Sequence, residues 1–316
     1  MQGDEISRNR SGVSAPNDLS TEPFLTRSEL LKAGRAQKDA SRPLKVIRPP
    51  SFSLATISSG VMALLGYSDL LYTLTAFRLK VRYKQSALGW IWAVLQPLSL
   101  MVIYTLIFSG LAKVPSEGVA YPVFVFTGLL PWIFFSSAIS SAVNGLVSYP
   151  ALLTKMYFPR EIITLSYIAA AFIDFWIAFV LLAGLMTYYR VPLSWNAFYA
   201  FPLLLGLWAF ATAVALLLSS IQVRFRDVGV GLPLLLQVWL LATPIVYPLR
   251  SVPARFQRIV LLNPVAGLIE NFRRVVLHAQ APDLKLLLSS LAVSFLCLVV
   301  AYGYFKSNEA DMADLI

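Results

Sequence analysis

The charged residues of this chain are spaced unevenly, and the gaps between them carry the first prediction. A helix needs roughly 20 mostly apolar residues to cross a hydrocarbon core, because each residue adds about 1.5 Å. Six stretches are long enough. The first opens after Lys84 and closes at Lys113, and the second lies between Glu117 and Lys155. The third runs from Ile162 to Tyr189, broken only by Asp174, and the fourth from Val191 to Val223. The fifth spans Val228 to Leu249, and the sixth lies between Lys285 and Lys306. The pattern predicts an all-α polytopic membrane protein with six transmembrane helices. Just before the first stretch, Leu70, Leu74, Phe77 and Val81 fall at i, i+4, i+7 and i+11, one helical face, while Arg78, Arg82 and Lys84 point elsewhere. This predicts an N-terminal amphipathic helix in the membrane interface. A plain positively charged flank with no partner contact gives the same spacing. Between the fifth and sixth spans, apolar pieces such as Ile245–Tyr247 and Ile259–Leu262 are cut by Pro244, Pro248, Pro253, Asn263 and Pro264. They predict short re-entrant outer helices, which are tolerated only against protein or a water-filled cavity. A surface loop among the headgroups is the alternative. The predicted domains are a flexible tail over 1–50, a membrane-interface segment over 51–86, and a six-span domain over 87–316.

Composition narrows the class. Of 316 residues, 58% are hydrophobic and 13% charged, where a soluble domain carries about 25% charged. The net charge of +10 sits beside long apolar runs and forms no basic face, which argues against a nucleic-acid partner. The single Cys297 and single His278 exclude an intramolecular disulfide and a Cys- or His-based metal site. Residues 1–50 are rich in Ser, Pro, Lys and Arg and lack an apolar signal-peptide core. They read as a solvated cytoplasmic tail with a short helix around 26–38.

Charge also sets orientation. Six spans place both termini on one side. That side holds Arg78, Lys80, Arg82 and Lys84, then Lys155 and Arg160, then Arg224 and Arg226, then Lys306. The opposite short loops hold only Lys113 and Arg190, so the positive-inside rule makes both termini cytoplasmic. One segment resists. Leu249 to Asp283 carries Arg250, Arg255, Arg258, Arg273 and Arg274 yet falls outside; its length weakens the rule there.

Asp174 is the ionisable residue well inside a span, where a lone charge costs roughly 3 kcal/mol on insertion scales. Two readings stand: a channel-lining or coupling residue, or a protonated or hydrogen-bonded aspartate that fixes packing. Gln96, Asn144 and Gln237 are expected to hydrogen-bond between helices. Pro97, Pro131, Pro202, Pro233 and Pro244 are expected to kink the spans. Trp90, Trp92, Trp132 and Trp195 fall near predicted span ends and read as an interfacial belt. The sequence contains no G-x-x-x-x-G-K-[ST] phosphate loop, no H-E-x-x-H and no G-x-S-x-G.

An ordered set of motifs points to a family. Arg82–Trp92 (RYKQSALGWIW) is followed by Leu95-Gln-Pro97-Leu, Tyr121-Pro-Val, and Gly128-Leu-Leu-Pro-Trp132. Then come Leu153-Thr-Lys155, Phe158-Pro-Arg160-Glu161, Arg226-Asp-Val228, Thr243–Pro248, Asn263-Pro264, Phe272-Arg273 and the closing Ala313–Ile316. Over residues 68–316 the chain resembles the transmembrane subunits of polysaccharide-exporting ABC transporters, which handle O-antigen, capsule or teichoic acid. The resemblance implies a permease without its own ATPase, acting as a homodimer with two separate ATPase subunits. ATP and Mg would be bound by those partners, and this chain would carry no cofactor of its own. The implied substrate is a polyprenyl-diphosphate-linked polysaccharide crossing the inner (plasma) membrane. Arg78, Arg82, Lys84 and Trp90 would form the inner mouth, where basic groups attract the diphosphate. Leu153, Lys155, Phe158, Arg160 and Glu161 would form the coupling segment docked on the ATPase. Pro244, Tyr247, Arg255, Asn263 and Arg273 would belong to the outer gate, with Asp174 and Gln96 the polar residues at membrane depth. Other readings are a same-fold permease for a drug or small lipid, a membrane-embedded glycan-modifying enzyme, and a non-transporting scaffold.

Overall fold

The computed structural model describes residues 62, 64–84, 86–148, 158–309 and 312. The tail over 1–50, Leu153, Lys155 and the closing 313–316 lie outside the described residues. Helices account for the regular structure among the described residues, and five of them are long and apolar enough to cross a membrane.

Helix α1 (Ser68–Lys84) leads through a 3₁₀ turn, Gly89–Ile91, into α2 (Trp92–Tyr104). A π-helical stretch, Thr105–Leu111, prolongs α2 and makes the whole first span Gly89–Leu111. Then come α3 (Tyr121–Val147) and α4 (Glu161–Tyr188). A 3₁₀ turn, Trp195–Tyr199, opens α5 (Ala200–Arg224). Helix α6 (Asp227–Ala242) has 16 residues, short of the other spans, and ends just before Pro244. Two short helices follow, α7 (Ala254–Leu261) and α8 (Pro264–Val276), before the long α9 (Leu284–Asn308). The first, second, third, fourth and sixth uncharged stretches each hold one of the long helices. The fifth holds α6 and an irregular segment.

Helix α3 is the hub. It packs on α2, α4, α5, α6 and α8, and 78% of its apolar window is buried, against 11% for the first span. The reason lies in its side chains. Phe124, Phe126, Phe134, Phe135, Leu129 and Ile139 fall on several faces, so α3 is apolar all round and needs neighbours on every side. Ring contacts bind the hub: Phe135 stacks on Phe210 at 5.6 Å and meets Trp239 edge-on at 5.2 Å. Trp132 is buried in this cluster and faces Trp239 at 6.3 Å, so it is a core residue and not part of a belt. Trp195, by contrast, is largely exposed.

The prolines divide by position. Pro97, Pro131 and Pro233 lie inside helices, whereas Pro244 lies past the end of α6. Proline cannot donate and disfavours helix at the residue before it, which accounts for the stop at Ala242–Thr243. The amides depart from expectation. Asn144 donates to the Ser140 carbonyl of its own helix at 3.0 Å, Gln237 is exposed, and Gln96 lines a cavity. Among the described residues none of the three donates a hydrogen bond to another helix.

Helix α1 packs along α4, and its predicted apolar stripe divides: Leu70 and Leu74 pack, partly buried, against the bundle. Thr75, Arg78, Leu79 and Tyr83 are buried, while Phe77 and Val81 are exposed. Arg78 is drawn inward because its guanidinium lies 4.1 Å from the Tyr167 ring centroid, a cation–π seat that counting apolar residues overlooks. Phe77 and Val81 are left outward, where a lipid-facing surface would take them.

Candidate functional site

Three polar clusters are built into the apolar bundle. The first joins α1 to α4. Arg82 Nη1 and Tyr83 Oη both donate to Asp174, the phenol to Oδ1 at 2.8 Å and the guanidinium to Oδ2. Arg82 Nη2 also reaches Ser141 Oγ at 3.4 Å. Both oxygens of Asp174 are therefore satisfied by consecutive residues of α1. This resolves the two readings in part: the aspartate fixes packing, and it also lines a cavity of about 310 Å³. Gln96, Pro97 and Trp92 form one wall of that cavity, and Ser137, Phe134 and Phe175 the other. The Tyr83 ring stacks on Trp90 with centroids 4.4 Å apart, and Trp90 is half exposed. The Tyr83 phenol is pushed up to about 12, by burial first and then by the hydrogen bond and charge of Asp174, with Arg82 opposing. Tyr83 is thus a permanent donor. Of the inner-mouth residues, Arg82 and Trp90 come together here, Lys84 is exposed, and Arg78 is buried against Tyr167.

The second cluster holds the break after α6. Arg273 on α8 is 1% exposed, and its guanidinium donates to two successive carbonyls, Pro244 at 2.7 Å and Ile245. The same group lies 4.1 Å from the Phe124 ring centroid. A planar fork suits this task, since it meets two acceptors while stacking on a ring. Burial lowers the Arg273 cation to about 10, with Glu270, Glu117 and Tyr121 opposing. Gly128 on α3 makes room: a Cβ there would run into the guanidinium and lie 2.9 Å from the Ile245 oxygen. Asn263 caps α8 by accepting from the Val265 N–H at 3.1 Å and donates to Thr243 Oγ1 at 3.0 Å. Tyr121 Oη donates to the Val246 carbonyl at 2.6 Å, and Tyr247 Oη to the Leu241 carbonyl at 3.0 Å. Carbonyls of the irregular segment thus find donors from two other elements, α3 and α8, and Tyr247 within the segment donates back to α6. Pro244, Asn263 and Arg273 are brought together; Tyr247 lies beside them, and Arg255, on α7, is exposed over Phe256.

The third cluster ties the start of α4 to the end of α9. Glu161 is fully buried; Tyr302 Oη and Lys306 Nζ both donate to its carboxylate at 3.0 Å. Lys306 also meets Glu309 at 2.9 Å. Glu309 in turn accepts from the Arg160 backbone N–H at 3.2 Å, and its carbonyl from the Arg160 guanidinium. Phe158 is buried in an adjacent apolar group with Leu146, Ile162 and Phe305. Of the coupling residues that are described, Phe158, Arg160 and Glu161 are all engaged within the chain, and Glu161 is not a surface group.

The comparisons with known proteins now bear on the arrangement. Residues 69–277 match the family model described as ABC-2 type transporter. The chain belongs to that family. It is 31% identical over 261 residues to the O-antigen export system permease protein RfbA of Myxococcus xanthus, which covers 81% of this chain and 98% of that protein. A permease of the same name from Klebsiella pneumoniae is 31% identical over 256 residues, 80% of this chain and 97% of its own. Another from Klebsiella pneumoniae is 35% identical over 168 residues, 52% of this chain and 63% of its own. With five long apolar helices, this ABC-2 family member is a multi-pass membrane protein.

Sequence reasoning missed several parts of the ABC-2 chain's polar framework. Tyr83 and Ser141 as partners of the Arg82–Asp174 pair carried no signal, since residues 59 and 91 positions apart meet only through helix packing. Glu117 approaches His278 at 3.3 Å and Arg250 at 3.8 Å, joining the α2–α3 connection to the α7–α9 region. Gly128 falls in the Gly128-Leu-Leu-Pro-Trp132 motif, and its role as the space for Arg273 is visible only from the structure.

Proposed function

We propose that this chain is the permease subunit of an exporter that moves polyprenyl-diphosphate-linked polysaccharide of the O-antigen type. It would act in the inner (plasma) membrane as a homodimer, with two separate ATPase subunits supplying ATP and Mg chemistry. The observation that carries the reading is the near-full-length kinship with two permeases named for O-antigen export, covering 98% and 97% of their lengths. The helix arrangement agrees with it. The five long helices and α6 together supply six crossings, with both termini cytoplasmic. The exposed Lys84 and Trp90, next to the Arg82–Asp174 pair, suit an inner mouth that meets a diphosphate. The latched segment Thr243–Pro248 and helices α7 and α8 suit a fixed outer frame for the emerging glycan. Arg160 and Phe158 sit where the loop after α3 returns to α4, and so suit transmission from a docked ATPase.

Co-expression with the partner ATPase tests this directly. The two chains should purify together, and in proteoliposomes a polyprenyl-diphosphate oligosaccharide should stimulate ATP hydrolysis. Lys84→Glu should weaken that stimulation while assembly persists. Hydrolysis indifferent to the lipid diphosphate, but stimulated by a drug or a small lipid, would replace the cargo assignment.

A further inference from the structure

A second cavity, of about 460 Å³, lies at the Glu117 end of the bundle, and the permease reading leaves it without a task. It is bordered by the turn Leu249–Ser251, α7, α8 and the start of α9. Three cations edge it, Arg250, Arg274 and Lys285, with two carboxylates, Glu270 and Asp283. Asp283 is committed, because its Oδ1 accepts from the backbone N–H groups of Lys285 at 3.1 Å and Leu286 at 3.2 Å and so caps α9. Glu270 is not. Among the described residues its carboxylate accepts no hydrogen bond and forms no ion pair, although the residue is only partly exposed. Burial pushes this carboxyl up, with Arg273 opposing and Glu117 adding to the rise. A carboxylate withdrawn from water and given no donor is costly, and a cationic donor group offsets that cost. The cations are also lightly used. Arg250 is 85% exposed and only 3.8 Å from Glu117, and Lys285 makes no ion pair among the described residues.

The surroundings select the ligand. Leu249, Leu261 and Leu286 form the apolar part of the lining. Outside it, Ile259 and Leu262 by α7 and Leu284 and Leu288 on α9 are exposed, which suits a lipid-facing surface. Among the described residues no aromatic ring lines the cavity, so a sugar finds no face there to stack on. A ligand with one phosphate, one primary ammonium and apolar chains meets the three cations, Glu270 and the leucines of the lining.

We propose that this cavity binds the headgroup of a zwitterionic aminophospholipid, with its phosphate held by Arg250, Arg274 and Lys285 and its ammonium by Glu270. The acyl chains would lie along Leu284 and Leu288. Phosphatidylcholine matches the phosphate but cannot donate a hydrogen bond to Glu270, and phosphatidylglycerol lacks the cation. The assignment depends on membrane embedding and not on the exported cargo.

The test uses the purified full-length chain in detergent, titrated with phosphatidylethanolamine, phosphatidylcholine and phosphatidylglycerol, with bound lipid counted by native mass spectrometry. Phosphatidylethanolamine should bind about tenfold more tightly than phosphatidylcholine, the value of one charge-assisted hydrogen bond. Glu270→Gln should abolish that preference and leave phosphatidylglycerol binding in place. Arg274→Gln should weaken phosphatidylethanolamine and phosphatidylglycerol alike; if it fails to fold, Arg250→Gln, at a largely exposed side chain, reads the same contact. Equal binding of the ethanolamine and choline lipids, or an unchanged preference in Glu270→Gln, overturns the proposal. So does displacement of the lipid by a neutral oligosaccharide, or equal displacement by free phosphoethanolamine, which would assign the cavity to a glycan or to a soluble phosphoamine.

Discussion

Arg82 and Asp174 are each a liability alone and a fastener together. Their side chains are 34% and 18% exposed, so the pair is shielded but not dry. Removing one partner leaves the other charge without its counterion. A double-mutant cycle of Arg82→Gln and Asp174→Asn should therefore give a coupling of roughly 1–3 kcal/mol in thermal unfolding. Additive losses would mean that the two residues act independently. Arg273 should matter more, because its two carbonyl acceptors and its ring seat all lie inside the protein. Arg273→Gln should cost about 3 kcal/mol, since buried acceptors lose a charged donor. Arg273→Lys should recover only part of that loss, because an ammonium has no fork to span both carbonyls. Stability comparable to wild type in the lysine variant would contradict the forked contact. Glu270 sets the pH behaviour. Its carboxyl is raised above the ordinary 4.5, so the folded chain holds a proton that the unfolded chain releases first. Stability from this group is therefore greatest below 4.5 and declines as pH rises through the raised value. Glu270→Gln should flatten that decline in a thermal-shift series, and an unaltered slope would place the titration elsewhere.

At the scale of elements, what a sequence discloses depends on whether the controlling interaction is local. The long apolar helices were legible because each is selected by its own composition, and the uncharged gaps mark them well. The stop of α6 is a correction: Pro244, expected to kink a span running to Leu249, instead follows the end of the helix. The face of α1 was not legible. Leu70, Leu74, Phe77 and Val81 form a good stripe by spacing, but Tyr167 and Asp174, on a helix far along the chain, turn Arg78 and Tyr83 inward in place of Phe77 and Val81. Trp132 failed in the same way: expected near a span end, it lies well inside α3, enclosed by Trp239 and Phe135. Residues singled out for chemistry carried no sign of their partners in the sequence. Glu161 is the plainest case, conspicuous beside the predicted coupling loop but buried on Tyr302 and Lys306. This makes the α4–α9 junction a unit. Glu161→Gln should cost roughly 3 kcal/mol, near the lower end for breaking a buried pair, because Lys306 keeps Glu309. Hydrogen exchange should quicken in the last turns of α9 and the first of α4 together. Faster exchange confined to α4 would mean that the two ends are not joined through this carboxylate.

For the whole molecule, the number of crossings turns on α6. Its 16 residues rise only about 24 Å, less than the roughly 30 Å of a hydrocarbon core. Its flanks nevertheless reach opposite ends of the bundle. At its start the Gly229 N–H donates to Gln222 Oε1 at 2.5 Å, near Arg224 and Arg226. Just past its end, Ile245 and Val246 are held by Arg273 and by Tyr121, the first residue of α3. The helix plus the latched segment therefore covers the distance that the helix alone does not. A crossing α6 leaves the arginine-rich stretch 249–283 outside, where its length weakens the positive-inside rule. Arg273 in that stretch is committed to two carbonyls and a ring. In a Cys297→Ser background, single cysteines replacing Lys113, Arg190 and Arg250 should react with an impermeant maleimide applied from outside intact cells. One replacing Arg226 should react only after the membrane is opened. Labelling of the 226 and 250 positions from the same side would make α6 re-entrant, leave five crossings, and place the two ends of the described chain on opposite faces of the membrane.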